Sequence, residues 1–222
     1  MSNNIVSNLN RLKTSVDPSC TLVAVSKTKP SSNISACFEA GHLDFGENKV
    51  QELTKKAAEL PKEIRWHMIG HLQRNKVKYI APFVHLIHGV DSYRLLSEIN
   101  KQAKKAQRTI ACLLQVNIAS EETKFGFDEA EMHDMLDGKE FNDFSHVKIS
   151  GLMGMASNTS DSDKVRQEFR NLKRIYDQLQ NRDHRLLKIK ILSMGMSGDY
   201  QLAIEEGSNM IRVGSAIFGA RN

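Results

Sequence analysis

The chain has 222 residues, 40% hydrophobic and 26% charged, with a formal net charge of +5 and a pI near 9.1, a balance that suits a globular protein with one large core. Several classes are excluded: no apolar run approaches the ~20 residues a bilayer span needs, Met1-Ser2-Asn3-Asn4-Ile5 lacks the charged-then-apolar pattern of a secretion signal, and Cys20, Cys37 and Cys112 are too scattered for a disulfide framework or zinc site and fit a reducing cytoplasm. The positive excess admits an anionic partner and says nothing of the fold.

Residues before Thr21 are expected to form an extra N-terminal helix. The first strong apolar strand, residues 21–26, ends at Lys27, and Pro30 stops the run. A lysine whose stem rides on a buried strand sits in a partly dry site, where desolvation disfavours the ammonium form and lowers its pKa. Such an amine suits Schiff-base chemistry with a carbonyl; taken alone, the segment equally describes a lysine snorkelling to water. Further β-type runs fall at 43–46, 65–69, 84–88, 110–117, 147–153, 189–194 and 210–213. Amphipathic stretches lie between most of them. Leu95, Ile99, Ala103 and Ala106 recur at helical spacing, as do Val165, Phe169, Leu172, Ile175, Tyr176 and Leu179. Asp91-Ser92 and Ser160-Asp161 read as N-caps ahead of these two helices. No linker or low-complexity segment interrupts the series, so residues 1–222 read as a single domain.

Eight strands alternating with helices match the lower size limit of a (β/α)8 TIM-type barrel; an open doubly wound sheet uses the same alternation. Two observations favour the barrel. No G-x-G-x-x-G follows the first strand. Several strands also end in small or reactive residues, as chemistry gathered at one mouth requires: Ser26-Lys27, Gly46-Glu47-Asn48, Gly70-His71, Gly89, Asn117, Gly154, Ser193 to Ser197 and Gly214-Ser215.

The last two strands carry the strongest signal. Leu192 to Asp199 follows strand seven, and Arg212 to Gly219 extends strand eight. Barrels often hold a phosphate on these loops with the start of a short helix. Glycines let backbone N–H groups approach an oxyanion, and the Ser197 and Ser215 hydroxyls can donate to it; as isolated loops they read equally as turns. Closing the barrel makes Lys27 their neighbour, and an imine-forming lysine beside a phosphate cradle outlines a pyridoxal phosphate site. Arg212, two residues before Gly214, can reach the pyridine nitrogen from the same side; its plainer role is an ion pair with Glu205 or Glu206.

At this point the sequence resembles a known family. Ala24 to Pro30, Phe45 to Glu52, Trp66 to Lys76, Gly151 to Met155, Leu192 to Ser197 and Arg212 to Gly219 are similar, in order and over nearly the whole chain, to the pyridoxal phosphate homeostasis protein family (YggS/PROSC type). The resemblance implies a fold-type III barrel like the N-terminal domain of alanine racemase. It implies that Lys27 carries the cofactor covalently, that Arg212 faces the pyridine nitrogen, and that Ser197, Gly214 and Ser215 hold the phosphate. It also places Asn48 near the ring and has Met196 lend backbone to the phosphate loop. Gly207-Ser208-Asn209 departs from the family, which often has threonine in the third place.

Other groups compete weakly. His67 and His71 have the i, i+4 spacing of a helical zinc pair, but on a strand four residues span roughly 13 Å and the two cannot share an ion, so no metal is expected. Lys101, Lys104, Lys105 and Arg108 form a basic stripe without the aromatic motif of a nucleic-acid binder, so a solvated face is expected. Lys124, in the loop after strand five, either assists passage of an anionic cofactor or is a surface lysine.

Two functions remain, a non-catalytic carrier of pyridoxal 5'-phosphate and a weak amino-acid racemase. Racemisation needs a base on each face of the substrate carbon, and Tyr79, Tyr93, Tyr176 and Tyr200 all fall in or beside helices. An arginine at the pyridine nitrogen also disfavours the proton that makes the ring a strong electron sink. The expectation is therefore a cytoplasmic, monomeric carrier serving pyridoxal phosphate-dependent apo-enzymes, with no catalytic residues, no membrane and no nucleic acid.

Overall fold

Residues 2–119 and 125–219 are described by a computed structural model of the chain. The β-type runs become eight strands: β1 (Thr21–Val25), β2 (Asp44–Glu47), β3 (Arg65–Met68), β4 (Leu86–Val90), β5 (Ile110–Gln115), β6 (Val147–Met153), β7 (Leu187–Ser193) and β8 (Met210–Val213). All neighbours pair in parallel, and β8 returns to β1 to close the barrel. Closure rules out the open doubly wound sheet. The helices are α1 (Ser2–Ser15), α2 (Ser31–Glu39), α3 (Val50–Glu59), α4 (Val77–Ile80), α5 (Tyr93–Lys105), α6 (Glu129–Asp137), α7 (Ser162–Gln180), α8 (Tyr200–Glu205) and α9 (Ser215–Phe218).

Strand alternation sorts the core into two layers. Outward positions such as Phe45, Trp66, Met68, Ile211 and Val213 pack under the helices in one large apolar cluster. Inward positions Val23, Leu86, Leu113, Met153 and Met210 form a smaller separate cluster in the lumen. Val165, Phe169, Leu172, Ile175, Tyr176 and Leu179 are all buried along α7. The N-caps form as the sequence indicates. Ser92 Oγ accepts from Leu95 N–H at 3.3 Å, and Asp161 Oδ1 accepts from the N–H groups of Asp163 and Lys164 at 3.1 Å. The extra helix α1 buries Ile5, Leu9 and Leu12, spaced four and three apart, and packs against α2 and α9; Val16, just past its end, is buried as well.

Strand β5 stops two residues earlier than its apolar run suggests. Val116 and Asn117 turn to pair with Phe127, whose carbonyl accepts from Asn117 N–H at 2.9 Å. The seam between β7 and β8 has a single register pair, Ser193 with Met210. Further bonds across it come from the loops at its ends. Asn209 accepts from Leu192 N–H at 2.8 Å and donates to Lys190 O at 2.7 Å. Asn209, just before β8, thus ties that strand to β7 through its side-chain amide.

Candidate functional site

The strands' C-terminal ends surround a cavity of about 340 Å³, and Lys27, Asn48, Met196, Ser197, Arg212, Gly214 and Ser215 all line it. That volume is at the small end of the ~300–1,000 Å³ usual for small-molecule sites. Lys27 leaves β1 half-buried. The backbone beside it is fixed from outside the cavity: Thr28 adopts φ 66°, uncommon for a non-glycine residue, and its N–H donates to Glu52 Oε1 at 2.6 Å. Lys56, 4% exposed, donates to Ser26 O, Glu47 Oε1 and Glu52 Oε1 at 2.8, 2.8 and 2.7 Å. Ser26 Oγ donates to Glu47 Oε1 at 2.6 Å. Burial pushes the Glu47 carboxyl pKa up, opposed by Lys56 and Ser26.

The other walls are set by close backbone approaches. Gly70 lies so near the loop after β2 that a Cβ there would sit 2.5 Å from Asn48 O. Gly195, at φ 92°, lets the loop after β7 turn against α8, where a Cβ would meet that of Ala203 at 2.6 Å. Beyond the turn, Met196 N–H donates to Asp199 Oδ1 at 2.5 Å, and Gly214 N–H donates to Ser197 Oγ at 3.2 Å. A hydroxyl that accepts in this way still has its own hydrogen to donate. Ser215 opens α9 at the same wall.

Arg212 is buried, 4% exposed. It donates through Nη1 to Ser193 O at 2.8 Å and Ser193 Oγ at 2.6 Å, and through Nη2 to Gly154 O at 3.1 Å. The plainer role considered for it does not arise, because Glu205 and Glu206 are taken by Arg166 and Arg170. Burial lowers the Arg212 pKa to about 10, against the opposing pull of Asp199, so it remains a cation at neutral pH.

Sequence reasoning missed Lys29, Ile69 and Met155 in the lining. Lys29 had a signal, since Val25, Lys27 and Lys29 follow one another at period two. It also missed the Glu47–Lys56 cluster, whose only trace is the i, i+4 pair Glu52–Lys56. The histidine pair separates as expected. His67 lies inside the barrel, whereas His71 bonds Asp91 at 3.1 Å and stacks on Phe125 at 4.1 Å. Asp44, His67 and His85 bring ligand-type atoms within 4.8 Å of one another. Asp44 is already engaged by Arg65 at 2.5 Å and His67 at 3.0 Å, and Lys148 and Lys190 line the same pocket. This cationic rim disfavours a metal ion. In the basic stripe, Arg108 turns inward to donate to Ala81 O and Val84 O at 2.7 and 2.9 Å, leaving three exposed lysines. Lys124 lies outside the described residues. No tyrosine lines the cavity among the described residues, and no described helix is long and apolar enough to cross a membrane.

The chain matches the family described as alanine racemase, N-terminal domain, over residues 2–222. It is 38% identical over 202 residues to the pyridoxal phosphate homeostasis protein of Aquifex aeolicus, covering 90% of this chain and 86% of that protein. It is 34% identical to the one from Haemophilus influenzae, covering 99% and 97%. The structure of PipY from Synechococcus elongatus with PLP (pyridoxal phosphate) bound superposes with a TM-score of 0.87 at 34% identity, covering 97% of this chain and 100% of that one. The chain therefore belongs to the alanine racemase N-terminal domain family, in its pyridoxal phosphate homeostasis protein branch.

Proposed function

We propose that this chain binds pyridoxal 5'-phosphate as a Schiff base on Lys27 and keeps it available to pyridoxal phosphate-dependent apo-enzymes, as a cytoplasmic monomer without strong catalysis of its own. The observation carrying this reading is the meeting of Lys27, Arg212 and the Ser197–Gly214–Ser215 wall in one cavity. The group fits the residues present: an amine for its aldehyde, hydroxyl and N–H donors for its phosphate, and a buried cation for its ring nitrogen. When bound, the cofactor supplies an electron-poor ring. Arg212 cannot yield a proton to that ring nitrogen at neutral pH and opposes its protonation by charge, which weakens the sink. The relatives' names and the PipY complex support the reading.

The racemase alternative draws on the family's name and needs a second base facing Lys27. Steady-state assays with L-alanine and L-serine are expected to give no turnover above that of free cofactor, and turnover above it would overturn the carrier reading. The cofactor assignment is tested by the visible spectrum of the loaded protein, borohydride reduction and peptide mapping. The pyridoxyl mark should fall on Lys27 alone. Replacing Ser197 or Ser215 by alanine should weaken retention by about 1 kcal/mol or more each, a loss of roughly fivefold, measured by equilibrium dialysis.

A further inference from the structure

The lumen of a (β/α)8 barrel is ordinarily filled by layers of branched apolar side chains. Here five strands also carry inward polar groups that touch in series from one mouth to the other. Asp44 opens β2, His67 is on β3, His88 on β4, Ser193 ends β7 and Arg212 is on β8. Asp44 Oδ1 lies 3.0 Å from His67 Nε2, and His67 Nδ1 lies 2.9 Å from His88 Nε2. His88 Nδ1 lies 3.2 Å from Ser193 Oγ, which is 2.6 Å from Arg212 Nη1. All five are buried, Asp44 being the most exposed at 7%. Apolar side chains would fill this space without the desolvation cost of polar ones, so packing alone does not account for the series.

Its direction follows from the donors. A carboxylate only accepts, so His67 Nε2 carries a hydrogen. Burial, with the Arg212 cation adding to it, holds the His88 pKa well below the usual range, so His88 has one donor and one acceptor nitrogen. Ser193 Oγ accepts from Arg212, and its O–H donates to His88 Nδ1. His88 Nε2–H then donates to His67 Nδ1, and His67 Nε2–H to Asp44. Every hydrogen points from the guanidinium toward the carboxylate, the arrangement in which such bonds polarise one another. Reversed, Ser193 would accept twice and its own hydrogen would lose this partner. Asp44 also opens onto a second pocket of about 400 Å³ at the strands' N-terminal ends, lined by Arg65, His85, Lys148 and Lys190.

We propose that Asp44, His67, His88 and Ser193 are positioning residues: a hydrogen-bonded wire through the barrel that orients the Arg212 guanidinium in the cofactor cavity and makes it respond to changes at the opposite mouth. The inference rests on the reading of that cavity as a pyridoxal phosphate site. Its first test needs no substitution. In nitrogen-15 NMR of the unliganded protein, His67 and His88 should both be Nε2–H tautomers; an Nδ1–H tautomer at His88 would reverse the wire and overturn the proposal. In the loaded protein, Asp44→Asn should weaken pyridoxal phosphate retention roughly three- to tenfold and shift its visible absorption. Arg65→Gln removes the same ion pair but leaves the carboxylate on His67, and should do neither. In a Ser193→Ala background the Asp44→Asn effect should vanish, because the wire is already cut.

An unaltered spectrum and retention in folded Asp44→Asn protein would overturn the proposal, as would equal effects with and without Ser193. Should Asp44→Asn fail to fold, the tautomer measurement decides. A wild-type protein that forms no imine would overturn the cofactor reading instead, and the tautomers of the unliganded chain would still be readable.

Discussion

Lys27→Ala is expected to abolish the imine band of the loaded protein and all borohydride-trapped label, while leaving weaker, reversible binding. The substitution removes the reacting amine at the mouth end of β1 and leaves the rest of the cavity intact. Ser197 and Ser215 keep their hydroxyls and Arg212 its bonds to Ser193 and Gly154. Hydrogen bonds to charged groups contribute about 1.5–3 kcal/mol each, so phosphate contacts alone should still hold the ligand. Lys29 is the instructive competitor, because it lines the same cavity. Reduced pyridoxyl-lysine resists trypsin, so the Lys27–Thr28 bond stays intact when Lys27 is marked and is cut when Lys29 is marked, Lys29–Pro30 resisting trypsin in either case. Full label on Lys29 in the wild-type protein would refute the assignment.

Lys56→Met should produce the largest loss of stability. The ammonium serves three acceptors from a site 4% exposed, and Glu47 is fully buried. Removing one partner of such a pair strands the other charge and costs about 3–5 kcal/mol. For a chain of this size that corresponds to a fall in Tm of roughly 6–20 °C, readable by thermal denaturation. Adding Glu47→Gln should recover much of the loss, because the stranded carboxylate is then gone. The paired variants also separate stability from cofactor binding: Ser26 O loses the Lys56 ammonium in both while still accepting from Lys29 N–H at 3.0 Å, so a shared defect in imine formation would trace to the backbone beside Lys27.

The architecture was legible because the strands of a parallel barrel are buried on both faces and read as short apolar runs between amphipathic helices. Those runs mark each of the eight strands to within about two residues, the scatter expected at element ends. The mouth was legible for a related reason: Lys27, Asn48, Ser197 and Gly214 each stand just past a strand, where a barrel collects its chemistry. Partners chosen in three dimensions were hidden. Lys56 looks like an exposed member of an i, i+4 pair, and only the folded chain turns it under β1 and β2. His67 and His88, each flanked by apolar neighbours, give no sign in sequence that they touch. Arg108 sits among lysines, yet its guanidinium finds two carbonyls in the segment before β4.

The seam between β7 and β8 is stitched by one register pair and a handful of loop bonds. Ser197 lies on one side of it, and Gly214 and Ser215 on the other. An anion gripped from both sides becomes a rivet across the barrel's most thinly laced join, so loading should raise the melting temperature and slow amide exchange in those two strands beyond the rest of the sheet.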